Sequence, residues 1–290
     1  MKELFAFIFC LLVLKATPCL GQTNSAQGLI LNAGSNAIIS GFGALLNKKP
    51  NEKGGKVFIR GFWQGAVGGG FVHLSKQMVY EFGETDNSAW IWGSKLVNAA
   101  GVSIAENASA NEKFLLRWHV NFGFTRFEFQ NKSSEKFSVK LMPFALAALM
   151  FTSTKASLNL EQTFRTGQFF FSTTSSGFPD SGYSIANTIV LNPIYFDSKS
   201  IAHEIIHTYQ YQGLSTLNPY ITRIFEPLIF KESTAFGKIA KKWIYLDTNL
   251  LALSGFYYLG GLGNKCYFDN PFEQEANFYS MRLDCSALSQ

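Results

Sequence analysis

Two periodicities divide the chain. Leu116, Trp118, Val120, Phe122 and Phe124 alternate with Arg117, His119, Asn121, Gly123 and Thr125, and a period of two predicts a strand with one buried face. The apolar phase then moves to Phe127 and Phe129, which a bulge near Thr125 or Arg126 would produce. Further strands are expected over 137–141, 157–164, 168–173 and 184–192, separated by turns such as Ser175 to Asp180. Before Asn111, Gly, Ala and Ser recur at helical spacings, as in Ala33 to Leu46 and Gly65 to Gly70. Small residues on one face let helices approach closely, so a helical hairpin turning near Lys48 to Gly55 is predicted. Beyond Asn192 the pattern is mainly helical, near 198–212, 219–240, 242–258 and 271–284. The expected fold class is therefore α+β: a Gly/Ala-rich helical N-terminal half, antiparallel strands, then a mainly helical C-terminal region. The expected divisions are 1–21, 22–110, 111–195 and 196–290.

The helix over 197–213 has the most informative polar positions. Asp197 or Ser198 can cap its start and Gly213 its end, and Ile201, Ala202, Ile205, Ile206 and Tyr209 form an apolar arc. His203 and His207 lie one turn apart on a separate stripe with Gln210, and Glu204 sits about 100° around the helix. A buried helix must satisfy such a stripe, and His-Glu-Ile-Ile-His is the spacing by which two imidazoles hold zinc.

A catalytic zinc normally has three protein ligands. No histidine follows His207, and the downstream glutamates are Glu226, Glu232, Glu273 and Glu275. Glu226 is followed directly by Pro227, and Glu232 opens a Glu-Ser-Thr-Ala run. Glu273 has the best context. Asn270 can cap a helix begun by Pro271; Glu273, Ala276 and Asn277 then share a face, with the alanine permitting close packing and the Asn277 amide able to orient a histidine. Glu275 points roughly 160° away from Glu273. Glu273 is the expected third ligand, with Glu226, Glu232 and Glu275 as alternatives.

His203-Glu-Ile-Ile-His207 followed by Glu273-Gln-Glu-Ala-Asn277 resembles the gluzincin type of zinc metallopeptidase. The second motif is similar to the Glu-x-x-Ala-Asp/Asn helix of CAAX-prenyl-endopeptidase-like and ImmA/IrrE-type peptidases. The resemblance implies a zincin-like catalytic region, with His203, His207 and Glu273 on zinc and Glu204 as general base. It implies peptide-bond hydrolysis of a peptide or protein substrate. Tyr211, Tyr220 and His119 are candidate donors to the oxyanion, and the strand from Ser184 to Leu191 is a candidate for aligning the peptide. The alternative is a non-catalytic secreted or envelope-associated binding protein with a structural or vestigial metal site.

Composition narrows the setting. The chain has 290 residues, 47% hydrophobic and only 16% charged, with 29 Phe and 25 Gly, so it can bury a large core and is neither disordered nor a coiled coil. Its net charge of +5 is dispersed and gives no argument for nucleic acid. Lys2, the apolar run Leu4 to Leu14 and small residues near Gly21 read as a cleaved signal peptide, hence a secreted, periplasmic or cell-envelope protein. A lipid anchor at Cys19 is the rival reading, disfavoured by Pro18. After cleavage Cys266 and Cys285 remain, and an oxidising compartment makes a disulfide between them the economical expectation. The small-residue helices also suit association with a membrane surface. Arg60, His73, Lys76, Glu81 and Glu84 argue against their spanning one.

Overall fold

The computed structural model describes residues 24–131, 136–173, 182–222, 234–263 and 266–280. Helices α1 (Ser25–Leu46) and α2 (Gly54–Thr85) form the expected hairpin, and a third helix, α3 (Ser88–Ser109), returns beside α2. Asn24 and Asn87 cap α1 and α3 by accepting bonds from the amides of Gln27 and Ala89. Gly61, Gly65 and Gly69 lie one turn apart where α2 meets α1, and any Cβ there would collide with Ser40, Asn36 or Asn32. Small residues thus set the interhelical distance, as their spacing predicts.

Strands β1 (Arg117–Phe122), β2 (Thr125–Gln130) and β3 (Phe137–Leu141) form an antiparallel sheet. The change of apolar phase is a hairpin, not a bulge: Phe122 pairs with Thr125 across a turn in which Gly123 has φ +56°. Alternation is real, but the buried face is the polar one. His119, Asn121, Arg126 and Glu128 are buried, while Phe129 and Phe137 are exposed. The reason is an ion cluster. Arg126 donates to both carboxylate oxygens of Glu106 on α3, at 3.0 and 3.1 Å, and Lys140 lies 3.1 Å from Glu128.

The second sheet runs β4 (Ser157–Leu158), β5 (Phe169–Ser172), β7 (Thr188–Leu191), β6 (Gly182–Ile185). It is mixed, because β5 and β7 are parallel. Two expected strands are corrected here. Of 157–164 only the first two residues pair; Asn159 then caps a short helix, α5 (Leu160–Thr166), which Gly167 ends at φ +65°. The stretch 184–192 folds back on itself at Ala186, where φ is +53°, giving the β6–β7 hairpin.

The apolar segment from Pro143 is a helix, α4 (Pro143–Ser153), whose first amides donate to the Asp247 carboxylate. Further helices of the C-terminal region are α6 (Ser198–Gly213), α7 (Ala235–Trp243), α8 (Asn249–Gly261) and α9 (Pro271–Ser280). Gly213 does not terminate α6 in a left-handed turn; its φ is −58° and the chain tightens into a 3-10 turn over Leu214–Leu217. The main core joins Val79 and Phe82 of α2, Ile91 of α3, Phe170 and Ile189 of the second sheet, Ile201 and Ile205 of α6, and Tyr279 of α9. The architecture is α+β, with α6 packed against α2, the second sheet and α9.

Candidate metal centre

Asp197 starts α6, accepting from the backbone amide of Ser200 at 2.9 Å and from its hydroxyl at 2.6 Å. The arc Ile201, Ala202, Ile205, Ile206 and Tyr209 is wholly buried, which fixes the rotation of the helix and brings His203 and His207 opposite α9. That helix begins at Pro271, with Asn270 Oδ1 accepting from the Phe272 amide at 3.1 Å. Ala276 is fully buried in the same core as α6, so α9 closes tightly and Glu273 faces the two rings.

The three side chains converge. His203 Nε2 and His207 Nε2 are 3.1 Å apart; Glu273 Oε2 is 3.2 Å from the first and Oε1 3.3 Å from the second. A tetrahedral zinc with bonds of about 2.0–2.1 Å spaces its donors about 3.3 Å apart. The two imidazole nitrogens fit that spacing, and each ring meets a different oxygen of Glu273; with one ligand atom taken from each residue, the three lie within 4.8 Å of one another, and their chemistry is that of a zinc donor set. It is the one grouping of three or more His, Cys, Asp or Glu among the described residues that could hold a metal ion. Glu273 Oε2 is buried, with His203 Nε2 at 3.2 Å and no hydrogen bond of good geometry among the described residues, and a buried carboxylate oxygen is costly unless a cation meets it.

The outer contacts orient the ligands. Gln210 Nε2 donates to the Phe272 carbonyl at 2.9 Å and to Glu275 Oε2 at 3.0 Å. Its Oε1 is then left to accept from His207 Nδ1, 2.8 Å away, which turns the second ring nitrogen, Nε2, toward the other donors. Ser280 Oγ lies 3.4 Å from His203 Nδ1. It takes the place expected of Asn277, whose amide oxygen has no hydrogen-bond partner among the described residues. Tyr257 and Tyr267 both donate to Glu273 Oε1, at 2.7 and 2.8 Å.

Electrostatics follow from this packing. Burial opposes charge on Glu273, but the two imidazoles beside it hold its carboxyl well below the usual carboxylate range. Burial likewise opposes charge on His207, yet contact with Glu273, with Glu204 nearby, pushes its ring up to about 9. Burial and the Glu273 charge push both tyrosines well up, so each remains a protonated donor.

Glu204 is buried on the next stripe of α6. The Ser184 hydroxyl lies 2.8 Å from its Oε2 and 2.9 Å from its backbone carbonyl oxygen. Ser184 belongs to β6, one of the two edge strands of the second sheet among the described strands.

Glu275 is turned away from the rings, with Lys76 Nζ at 2.7 Å and Asn32 Nδ2 at 3.0 Å. Glu226 and Glu232 lie outside the described residues, as do Cys285, with its expected link to Cys266, and the segment containing Cys19. None of the three oxyanion candidates has its polar group directed at the cluster. Tyr211 donates to Asp247 at 3.0 Å, Tyr220 donates to the Ile39 carbonyl, and His119 sits 3.0 Å from Ser103 Oγ. The tyrosines that do reach it, Tyr257 and Tyr267, carry no motif. In the sequence they simply precede the cap of α9, Tyr257 on α8 and Tyr267 in the turn before Asn270.

No protein-family model, curated protein or solved structure matches this chain. Any functional reading therefore rests on the geometry.

Proposed function

We propose that the chain is a zinc-dependent metallopeptidase acting outside the cytoplasm. The observation that carries the reading is the convergence of His203 Nε2, His207 Nε2 and the Glu273 carboxylate, with nearest approaches of 3.1 to 3.3 Å, beside a carboxylate at the second position of His-Glu-x-x-His. His203 and His207 would hold zinc through Nε2 and Glu273 through a carboxylate oxygen. Zinc there supplies the Lewis acidity that makes water nucleophilic near neutral pH.

The chain's own residues do the rest. Glu204, steadied by Ser184, takes a proton from the attacking water and delivers it to the leaving nitrogen. The outer edge of β6, unpaired among the described strands, offers backbone donors and acceptors along which an extended peptide could lie with its scissile carbonyl beside α6. Tyr257 and Tyr267 hold the Glu273 carboxylate in orientation, and either hydroxyl is placed to donate to charge developing near the ligands.

Glu204→Gln tests the assignment. It removes the proton acceptor while keeping the shape, so cleavage of a denatured protein substrate should fall by about 10²–10⁴, with zinc content unchanged. Full activity in that variant, or an unmodified protein that cleaves no substrate while retaining zinc, would favour a structural metal site instead.

A further inference from the structure

Helix α2 is apolar on its outer face as well as its inner one. Toward the core it presents His73, Ser75 and Lys76 among Val57, Val72, Val79 and Phe82; toward solvent it presents Ile59, Phe62, Trp63, Phe71 and Leu74. Ile59 is 68% exposed, Trp63 66% and Leu74 49%, and on neighbouring α1 Ile30 is 69% exposed. Water-facing helices carry polar residues on the outer face. Small residues where helices meet and large apolar ones on the free face are what a lipid environment selects, and the Gly61, Gly65 and Gly69 contact with α1 is of that kind.

The two polar residues that argue most against lipid contact are turned away from this face. Lys76 lies 2.7 Å from Glu275, and His73 Nδ1 lies 2.9 Å from the Tyr279 hydroxyl. No Asp, Glu, Lys or Arg occurs from Gly61 to Ser75, a length of about 21 Å along the axis. Charge collects at the ends of α2. Lys49, Lys53 and Lys56 are exposed at the α1–α2 turn, while the acidic Glu81 and Glu84 lie at the far end.

We propose that the outer face of the α1–α2 hairpin seats on a lipid bilayer, its apolar residues in the upper acyl region and the lysines of the α1–α2 turn against anionic headgroups. Burial of an apolar stripe together with basic contacts to anionic lipid is how interfacial helices bind. This assignment is independent of the metal site.

The test is co-flotation of the chain from Gln22 onward with vesicles of equimolar phosphatidylcholine and phosphatidylglycerol. The unmodified protein should float with the vesicles, and brominated acyl chains should quench its tryptophan emission by more than they quench that of Trp63→Phe. The double variant Trp63→Glu, Leu74→Glu changes only well-exposed positions. It should keep its melting temperature and lose vesicle affinity at least about tenfold. Failure of the unmodified protein to float, or equal flotation of the double variant, would overturn the proposal. So would a lipid-free dimer that the double variant dissociates, because the face would then be covered by protein.

Discussion

His207 Nδ1 and Gln210 Oε1 lie 2.8 Å apart, and the acceptor has been chosen for the histidine by two other bonds that Gln210 makes through its amide nitrogen. One helical turn thus carries both a ligand and the group that sets its tautomer. Gln210→Ala should leave the fold intact but weaken zinc binding about 10- to 100-fold. Competition with a chromogenic chelator measures this, and an unaltered zinc affinity would show that the Gln210 contact is incidental.

The bond between Ser184 and Glu204 predicts a smaller effect of a different kind. Ser184→Ala removes the hydroxyl 2.8 Å from Glu204 Oε2 without touching a ligand. Turnover should drop about 10-fold, the effect of losing one hydrogen bond to a charged group, while zinc content stays the same. Equal loss of zinc and turnover would mean that the substitution disturbs α6 itself.

Much of this centre was legible in the sequence because it is local. The helical spacing of His203 and His207, the Asp197 and Asn270 caps and the apolar arc of α6 are all fixed within a few turns of chain. The face of α9 that carries Glu273 and Ala276 is also read from helical periodicity. What was illegible depends on long-range pairing. The polar burial of β1 and β2 requires Glu106 from α3 to meet Arg126, and strand alternation cannot say which face wins. The hairpin at Ala186 needs a non-glycine residue at φ +53°, contrary to ordinary turn preference. The alternation of Leu158 and Leu160 reads as a strand over 157–164, although the Asn159 side chain caps α5. Tyr257 and Tyr267 reach Glu273 only through tertiary packing.

Lys76 joins the N-terminal helices to the metal centre. Its ammonium is buried 2.7 Å from Glu275, which in turn holds Gln210. Lys76→Met should destabilise the protein by about 3–5 kcal/mol, because it strands a buried carboxylate. Adding Glu275→Gln should recover part of that loss. Thermal unfolding of the two variants decides it, and a double variant no more stable than the single one would contradict the pairing.

Glu128 gives a pH-dependent prediction away from the centre. Burial opposes its charge, but Arg126, Lys140 and Arg117 lower its pKa from 4.5 to about 2. A carboxyl whose folded pKa is depressed contributes stability above its unfolded value, and that contribution is lost as pH falls toward the folded one. Glu128→Gln should therefore cost about 3 kcal/mol at neutral pH. The difference from the unmodified protein should shrink as pH falls from about 4.5 toward about 2. A difference that persists unchanged down to the lower pH would contradict the assigned ion pairs.

The most direct test of the central claim is X-ray absorption at the zinc edge, with elemental analysis, on the purified protein. The account predicts about one zinc per chain with only nitrogen and oxygen donors at about 2.0–2.2 Å, two of them imidazoles, and loss of the signal in His207→Ala. A protein that retains no zinc, or a zinc bound by sulfur, would contradict it.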